Sequence, residues 1–301
     1  MQSSQLLARH QIDDQVWDQT ITDSINRRIY GYTWYLDAVT DGKWSALIIG
    51  NYDFIMPLVH RSKCGISYIY QPFITQQLGV FGLQQCTGKV LGLFLKSIPW
   101  KYHIVDMNIM ECKNSISRFF IQKRQNHIID LSPSYQAISK NYNRNTRRNI
   151  KSATDASLTI NLGIDTQQFI DFQSQWEPGD FTAPNRHHVE QLVTAATGNA
   201  DVIVGGVFDG SELVATGLFI IDNQRVWFLL CASNEKGKDK KAMFFLIDHI
   251  LQRYATNALI FDFTGSNIPS IIQRNHGFGA VIENFYYIRR KSLLSKIKSL
   301  L

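Results

Sequence analysis

The stretch Phe261-Asp-Phe-Thr-Gly-Ser-Asn-Ile-Pro-Ser-Ile-Ile-Gln-Arg-Asn-His-Gly-Phe-Gly-Ala280 decides how the rest of the chain is read. Leu259 to Phe263 runs apolar like a buried strand, Gly265 and Ser266 turn the chain, and Asn267 with Pro269 opens a short helix. Gly277 stands where a left-handed residue closes a helix, and Phe278 is placed to fold back onto Ile272. A strand followed by a tight turn and a helix aims free backbone N–H groups beyond the strand end, which suits an anion.

The same order of elements occurs twice. In the first half, apolar runs at Ser45 to Ile49, Phe54 to Val59 and Ile66 to Tyr70 are bounded by turn signals. A helical pattern from Val90 to Ile98 follows, then strand character at Tyr102 to Met107 and Phe119 to Ile129. In the second half, Asp201 to Phe208, Glu212 to Ile221 and Arg225 to Cys231 are three strands separated by Asp209-Gly210 and Asp222-Asn223. A Lys- and Gly-rich loop, a helix from about Ala242 to Tyr254 and the strand into Asp262 complete the set. Each half therefore reads as an α+β domain, a mostly antiparallel sheet flanked by helices. An amphipathic helix over Asp13 to Tyr35 and a shorter one around Trp34 to Val39 precede the first strands.

Between the halves Ser132 and Pro133 are placed to start a helix. Along it Arg144, Arg147, Arg148 and Lys151 form one positive stripe, with no acidic residue until Asp155. Such a stripe is either a solvated face or the seat of an anionic ligand. The boundaries expected are 1–131 for the first domain, 132–155 for a basic linking helix and 156–301 for the second domain.

Three of these stretches, in this order, resemble the bacterial FemAB-like transferases of the GNAT (acyl-CoA N-acyltransferase) clan. They are Tyr70-Gln-Pro-Phe73 running to Gln76-Gln-Leu-Gly-Val-Phe81, Asn145-Thr-Arg-Arg-Asn-Ile-Lys151, and Asp262-Phe-Thr-Gly-Ser266 with Gly277-Phe-Gly-Ala280. The resemblance implies two tandem GNAT-like domains and transfer of an acyl or aminoacyl group to an amine, which belongs to a small molecule or a cell-envelope precursor. It further implies acyl-CoA or aminoacyl-tRNA as donor co-substrate, with no tightly bound cofactor. Tyr70, Gln71, Phe73 and Gln76 would then line the acceptor pocket, and Arg144, Arg147, Arg148 and Lys151 would face substrate.

In GNAT domains the donor's pyrophosphate is held by a loop of the pattern Gln/Arg-x-x-Gly-x-Gly/Ala. The equivalent loop here is Asn234-Glu-Lys-Gly-Lys-Asp-Lys-Lys-Ala242, which keeps Gly237 and Ala242 without that spacing. Lys238, Lys240 and Lys241, with Lys236, either contact donor phosphates or belong to a solvated loop. Asp262 either orients and deprotonates the attacking amine or caps the following helix. Ser266 shares that ambiguity, since a nucleophilic serine needs a base relay that the sequence does not display. A non-catalytic GNAT-like module binding nucleic acid or anionic lipid is the alternative.

The chain has 301 residues, 45% of them hydrophobic and 12% aromatic, enough for two buried cores. A net charge of +6 favours anionic partners or simply solubility. Cys64, Cys86, Cys112 and Cys231 show no paired spacing, and His187-His188 with Glu190 lacks the geometry of a helical metal site, so no metal is expected. Neither a signal segment nor a membrane-spanning run is legible, which leads to an expectation of a cytoplasmic protein. Leu293, Leu294, Ile297, Leu300 and Leu301 share one face of a basic tail over 289–301, which would either dock on its own domain or rest on an anionic membrane surface.

Overall fold

The computed structural model describes residues 4–111, 118–265 and 268–291, and they divide into two compact units. The first comprises Met1–Arg124 with Asn284–Leu301, and the second Gln125–Glu283. Residues 132–155 thus lie inside the second unit, and the chain passes between units at 124/125 and again at 283/284.

In the first unit the elements are β1 (Gln5–Ala8), α1 (Asp14–Asp23), α2 (Thr33–Thr40), β2 (Trp44–Ile49), β3 (Phe54–Lys63), β4 (Ile66–Ile69), β5 (Phe81–Gly82), α3 (Gly88–Ser97) and β6 (Tyr102–Ile109). Strand β7 (Phe119–Asp130) leads into the second unit. There it is followed by α4 (Tyr135–Lys140), α5 (Arg144–Asp155), β8 (Thr159–Asn161), α6 (Thr166–Trp176) and α7 (Ala183–Thr197). Next come β9 (Asp201–Asp209), β10 (Glu212–Ile221), β11 (Arg225–Ser233), α8 (Glu235–Asp239) and α9 (Ala242–Tyr254). β12 (Ile260–Asp262), α10 (Pro269–Gly277) and β13 (Val281–Arg290) close the described chain.

The two units have matching strand orders. In the first unit the order is β1-β2-β3-β4-β6-β13, with β5 paired to β3; β4 and β6 are parallel and the other neighbours antiparallel. In the second it is β8-β9-β10-β11-β12-β7, with β11 and β12 parallel and the rest antiparallel. The α+β duplication read from the sequence is therefore present. Its strands are apolar because their ladders are sandwiched: Val214, Ala215 and Phe219 of β10 are buried under Leu246, Ile247 and Ile250 of α9 in one core. In the first unit Trp17 of α1 stacks obliquely on Trp44 of β2 at 5.1 Å, and its indole N–H donates to the Gly31 carbonyl at 2.8 Å.

Three local expectations give way to tertiary contacts. The helix expected over Asp13 to Tyr35 stops at Asp23, because the Asp18 carboxylate accepts from the Thr33 backbone N–H at 2.7 Å and its hydroxyl at 2.8 Å, starting α2 as a separate helix. The single helix expected from Ser132 is two. Ser134 caps α4, and Asn143 caps α5 by accepting from the Thr146 N–H at 2.8 Å while its own N–H donates to the Gly277 carbonyl at 2.9 Å. Finally, the left-handed glycine after α10 is Gly279, φ +78°, and not Gly277. Gly277 is needed for proximity instead, since a Cβ there would lie 2.4 Å from the Thr146 hydroxyl oxygen. Phe278 packs on Tyr142, Phe244 and Phe263 rather than closing a helix cap on Ile272.

Candidate functional site

In the second unit the parallel ladder between β11 and β12 covers only Arg225–Trp227 against Ile260–Asp262. Beyond it β11 continues to Ser233 alongside β10. The Thr264 hydroxyl, donating to the Phe228 carbonyl at 2.7 Å, stitches the fork where the two segments part. A cavity of about 590 Å³ fills the opening. Its apolar wall is Cys231, Ala232, Met243, Phe244, Ile268 and Ile271, and Arg148, Lys238, Lys241 and Arg274 line it with Asn145 and Asn149. Among the described residues Glu177 is its single acidic lining residue. A second hollow of about 340 Å³ shares Asn145, Phe244, Ser270, Ile271 and Arg274 with it.

The cations are held in place. Arg148 donates to Asn145 Oδ1 at 2.8 Å, Lys241 Nζ to the Lys238 carbonyl at 3.1 Å, and Arg274 through Nε and Nη2 to the buried Asn275 Oδ1 at 3.2 and 3.1 Å. Those partners are neutral oxygens, so the three positive charges stand uncompensated by them in a concave wall, which focuses potential on an anion. Lys238 pairs with Glu235 at 2.8 Å. Helix α9 begins at the same wall without a side-chain cap, and its Phe244 and Phe245 N–H groups both donate to the Lys241 carbonyl, at 3.0 and 3.3 Å.

The Lys-rich loop differs from a phosphate cradle. Residues 235–239 wind into α8, and the amides that would bind phosphate are used internally: Gly237 N–H to Asn234 Oδ1 at 2.7 Å, Lys238 to the Asn234 carbonyl at 2.9 Å and Lys240 to the Lys236 carbonyl at 2.9 Å. Gly237 is buried against β10, where a Cβ would sit 2.1 Å from the Val214 carbonyl oxygen. Lys236 and Lys240 both bind Asp209, whose carboxyl they hold below its ordinary range. Of the loop residues assigned to a donor from the sequence, Gly237, Lys238 and Lys241 line the cavity, whereas Lys240 faces Asp209 and Ala242 is buried in the core.

On α5, Arg148 alone of the stripe lines the cavity, while Arg144, Arg147 and Lys151 are exposed beside it. Asp262 is fully buried and accepts from Asn126 Nδ2 at 2.9 Å, Arg225 Nη1 at 2.7 Å and the Thr264 N–H at 2.8 Å. Arg225 reaches onward to Glu283 at 2.8 Å. Burial opposes the charge on Arg225, and the two carboxylates outweigh it, raising its pKa. A carboxylate so engaged anchors β12 to β7 and β11. Ser266 lies outside the described residues.

Tyr70, Gln71, Phe73 and Gln76 belong to the first unit, on the loop after β4. Gln71 ties that loop down, accepting from the Asn108 N–H at 2.8 Å and donating to the Thr75 carbonyl at 2.8 Å, while the Gln76 carbonyl accepts from Asn108 Nδ2 at 2.7 Å. Tyr70 lies under the Arg61 guanidinium, 4.6 Å from its ring, and burial pushes its phenol up to about 12.

Glu177 and Arg274 were not singled out from the sequence. Arg274 had a signal, because Ser270, Ile271 and Arg274 share one helical face of α10. Glu177 had none, lying between Trp176 and Pro178 at a helix end.

The face of α10 is set from behind by a histidine pair, His127 Nε2 lying 3.2 Å from His276 Nε2. Burial first, and then His276, lowers the pKa of His127 from its ordinary 6.5. A depressed native pKa means that the neutral form is favoured by folding. The contribution of His127 is therefore complete above 6.5 and lost as pH falls through the native value. Wild-type stability in urea is expected to fall with pH below 6.5 more steeply than that of His127→Asn, and equal slopes would refute the coupling.

Among the described residues no helix is long and apolar enough to cross a membrane, and no group of three or more His, Cys, Asp or Glu is placed to hold a metal ion. Of the basic tail over 289–301, residues 292–301 lie outside the described residues.

No protein-family model matches the chain, and no curated protein matches it by sequence. Solved structures do match its fold. FemX superposes with a TM-score of 0.65 at 12% identity, over 96% of this chain and 98% of that one. A tandem GNAT protein from the clavulanic acid biosynthesis pathway gives 0.56 at 9%, over 96% and 98%. The C-terminal domain of a putative lysylphosphatidylglycerol synthetase from Agrobacterium fabrum gives 0.59 at 9%, over 94% and 95%. The fold is thus the tandem GNAT-like architecture shared with FemX.

Proposed function

We propose that the chain is an N-acyltransferase that moves an acyl or aminoacyl group from an activated, phosphate-bearing donor to an amine. The observation that carries this reading is the cavity at the β11/β12 fork, with an apolar wall for the acyl portion and Arg148, Lys241 and Arg274 around it for anionic groups. Because the loop amides are consumed within α8, phosphate recognition falls to these side chains. Acyl-CoA and aminoacyl-tRNA both satisfy this chemistry. FemX and the synthetase domain share the fold, and the synthetase's lipid product is in keeping with a cell-envelope acceptor. A tRNA donor would also use the exposed Arg144, Arg147 and Lys151 beside the cavity.

Thermal unfolding at low salt with acetyl-CoA, with bulk aminoacylated tRNA and with uncharged tRNA tests the reading. A donor at about 100 times its Kd adds about 2.7 kcal/mol, which raises Tm by roughly 5–10 °C for a chain of this class. Arg148→Ala and Arg274→Ala are each expected to weaken that donor about tenfold, roughly 1.4 kcal/mol, and to flatten its salt dependence. A melt unmoved by every donor overturns the proposal. A shift equal for charged and uncharged RNA, without transfer, would instead mark a nucleic-acid-binding module.

A further inference from the structure

Glu177 sits just past the end of α6, and the turn that carries it is fixed on both sides. Its N–H donates to the Gln173 carbonyl at 2.8 Å, and its own carbonyl accepts from the Asp180 and Phe181 N–H groups at 3.2 and 3.3 Å. One turn earlier the buried Gln173 donates to the Thr216 hydroxyl of β10 at 3.1 Å, so the helix end is pinned to the sheet beside the cavity. Asp262, the other carboxylate near the fork, has its oxygens committed to Arg225, Asn126 and the Thr264 amide. Glu177 is thus the carboxylate that a molecule in the cavity would meet.

Resting on the acyl-transfer reading of the same cavity, we propose that Glu177 is the proton carrier of the reaction. The amine nitrogen attacks the donor carbonyl carbon, forming a C–N bond and passing its proton to the Glu177 carboxylate. As the C–O or C–S bond of the donor breaks, the protonated Glu177 returns that proton to the departing oxygen or sulfur. The carboxylate is regenerated, and no further reactant is needed.

Its surroundings suit the task. Glu177 is exposed at the rim of the cavity, and partial desolvation first, then the neighbouring Asp180, raise its pKa against the opposing pull of Lys238; the cavity's other charges are Arg148, Lys241 and Arg274. A carboxylate raised in this way is a stronger base than a solvated one.

The test follows transfer from acetyl-CoA and from bulk aminoacylated tRNA to glycinamide, across pH, in wild type and Glu177→Gln, with donor binding read by thermal shift. Glu177→Gln is expected to hold donor affinity within about threefold while its kcat falls about 10²- to 10⁴-fold. The acid limb of kcat/KM should vanish with it. Asp180→Asn should move that limb to lower pH and Lys238→Met to higher pH, a signature that a merely structural role would not produce. A Glu177→Gln enzyme that keeps the limb, or loses less than tenfold, overturns the assignment while leaving the donor site standing. Absence of transfer by wild type overturns the function and this assignment together.

Discussion

Arg225→Met is expected to destabilise the Gln125–Glu283 unit by about 3–5 kcal/mol, the usual effect of stripping one partner from a buried ion pair. Arg225 is nearly buried and Asp262 fully so, 2.7 Å apart, with Glu283 on the guanidinium's other nitrogen. Methionine fills much of the volume but strips the guanidinium from the buried Asp262, whose partners Asn126 and the Thr264 amide are neutral. The double variant Arg225→Met/Asp262→Asn should recover part of the loss, because it removes the stranded charge. Urea denaturation measures both. A single-variant loss below about 1 kcal/mol would show the cluster to be dispensable, since that is the range of ordinary surface pairs.

The second large effect is expected at Gly237. Gly237→Ala places a methyl group 2.1 Å from the Val214 carbonyl oxygen, a backbone atom that cannot rotate away. α8 must then lift from β10, at about 1–3 kcal/mol, and the Asn234 to Gly237 bond of 2.7 Å lengthens. Lys238, inside α8, and Lys241, two residues past its end, line the cavity and move with it. Loss of stability and loss of the donor-induced thermal shift should therefore arrive together. A variant that melts like wild type and still binds donor would mean that the loop gives way without consequence.

Legibility along the chain followed the range of the deciding contact. Helix α9 was readable because its one-sided burial leaves a helical apolar period, and the strands β9, β10 and β11 because burial on both faces leaves continuous apolar runs that each segment records by itself. The duplication followed from that pattern, and the conserved order of elements confirmed it in both sheets. The break between α1 and α2 was not readable, since Asp18 meets Thr33 only after the chain turns back. The role of Asp262 depended on Asn126, 136 residues earlier, and on Arg225, 37 residues earlier, and neither is marked by the local sequence. The positive stripe was visible as charge, but which of its members meets the cavity was set by the caps at Ser134 and Asn143 that orient α4 and α5. Glu177 belongs to the same class: its position comes from Gln173 on Thr216, a contact with no periodic signature.

The late strand of the first unit carries a consequence for the newborn chain. Tyr286 to Arg289 complete the ladder on Ile109 to Asp106, yet the ribosome makes them only after the whole of the Gln125–Glu283 segment. The unit that starts first is therefore the one that closes last, and during synthesis its mostly buried β6 waits with an unpaired edge. An open apolar edge is a template for pairing with other chains. Translation that stalls, or a protease that cuts, at the passage from residue 283 to 284 would leave the first unit as an aggregation-prone fragment, while the later-made unit retains its Gln125–Glu283 segment whole.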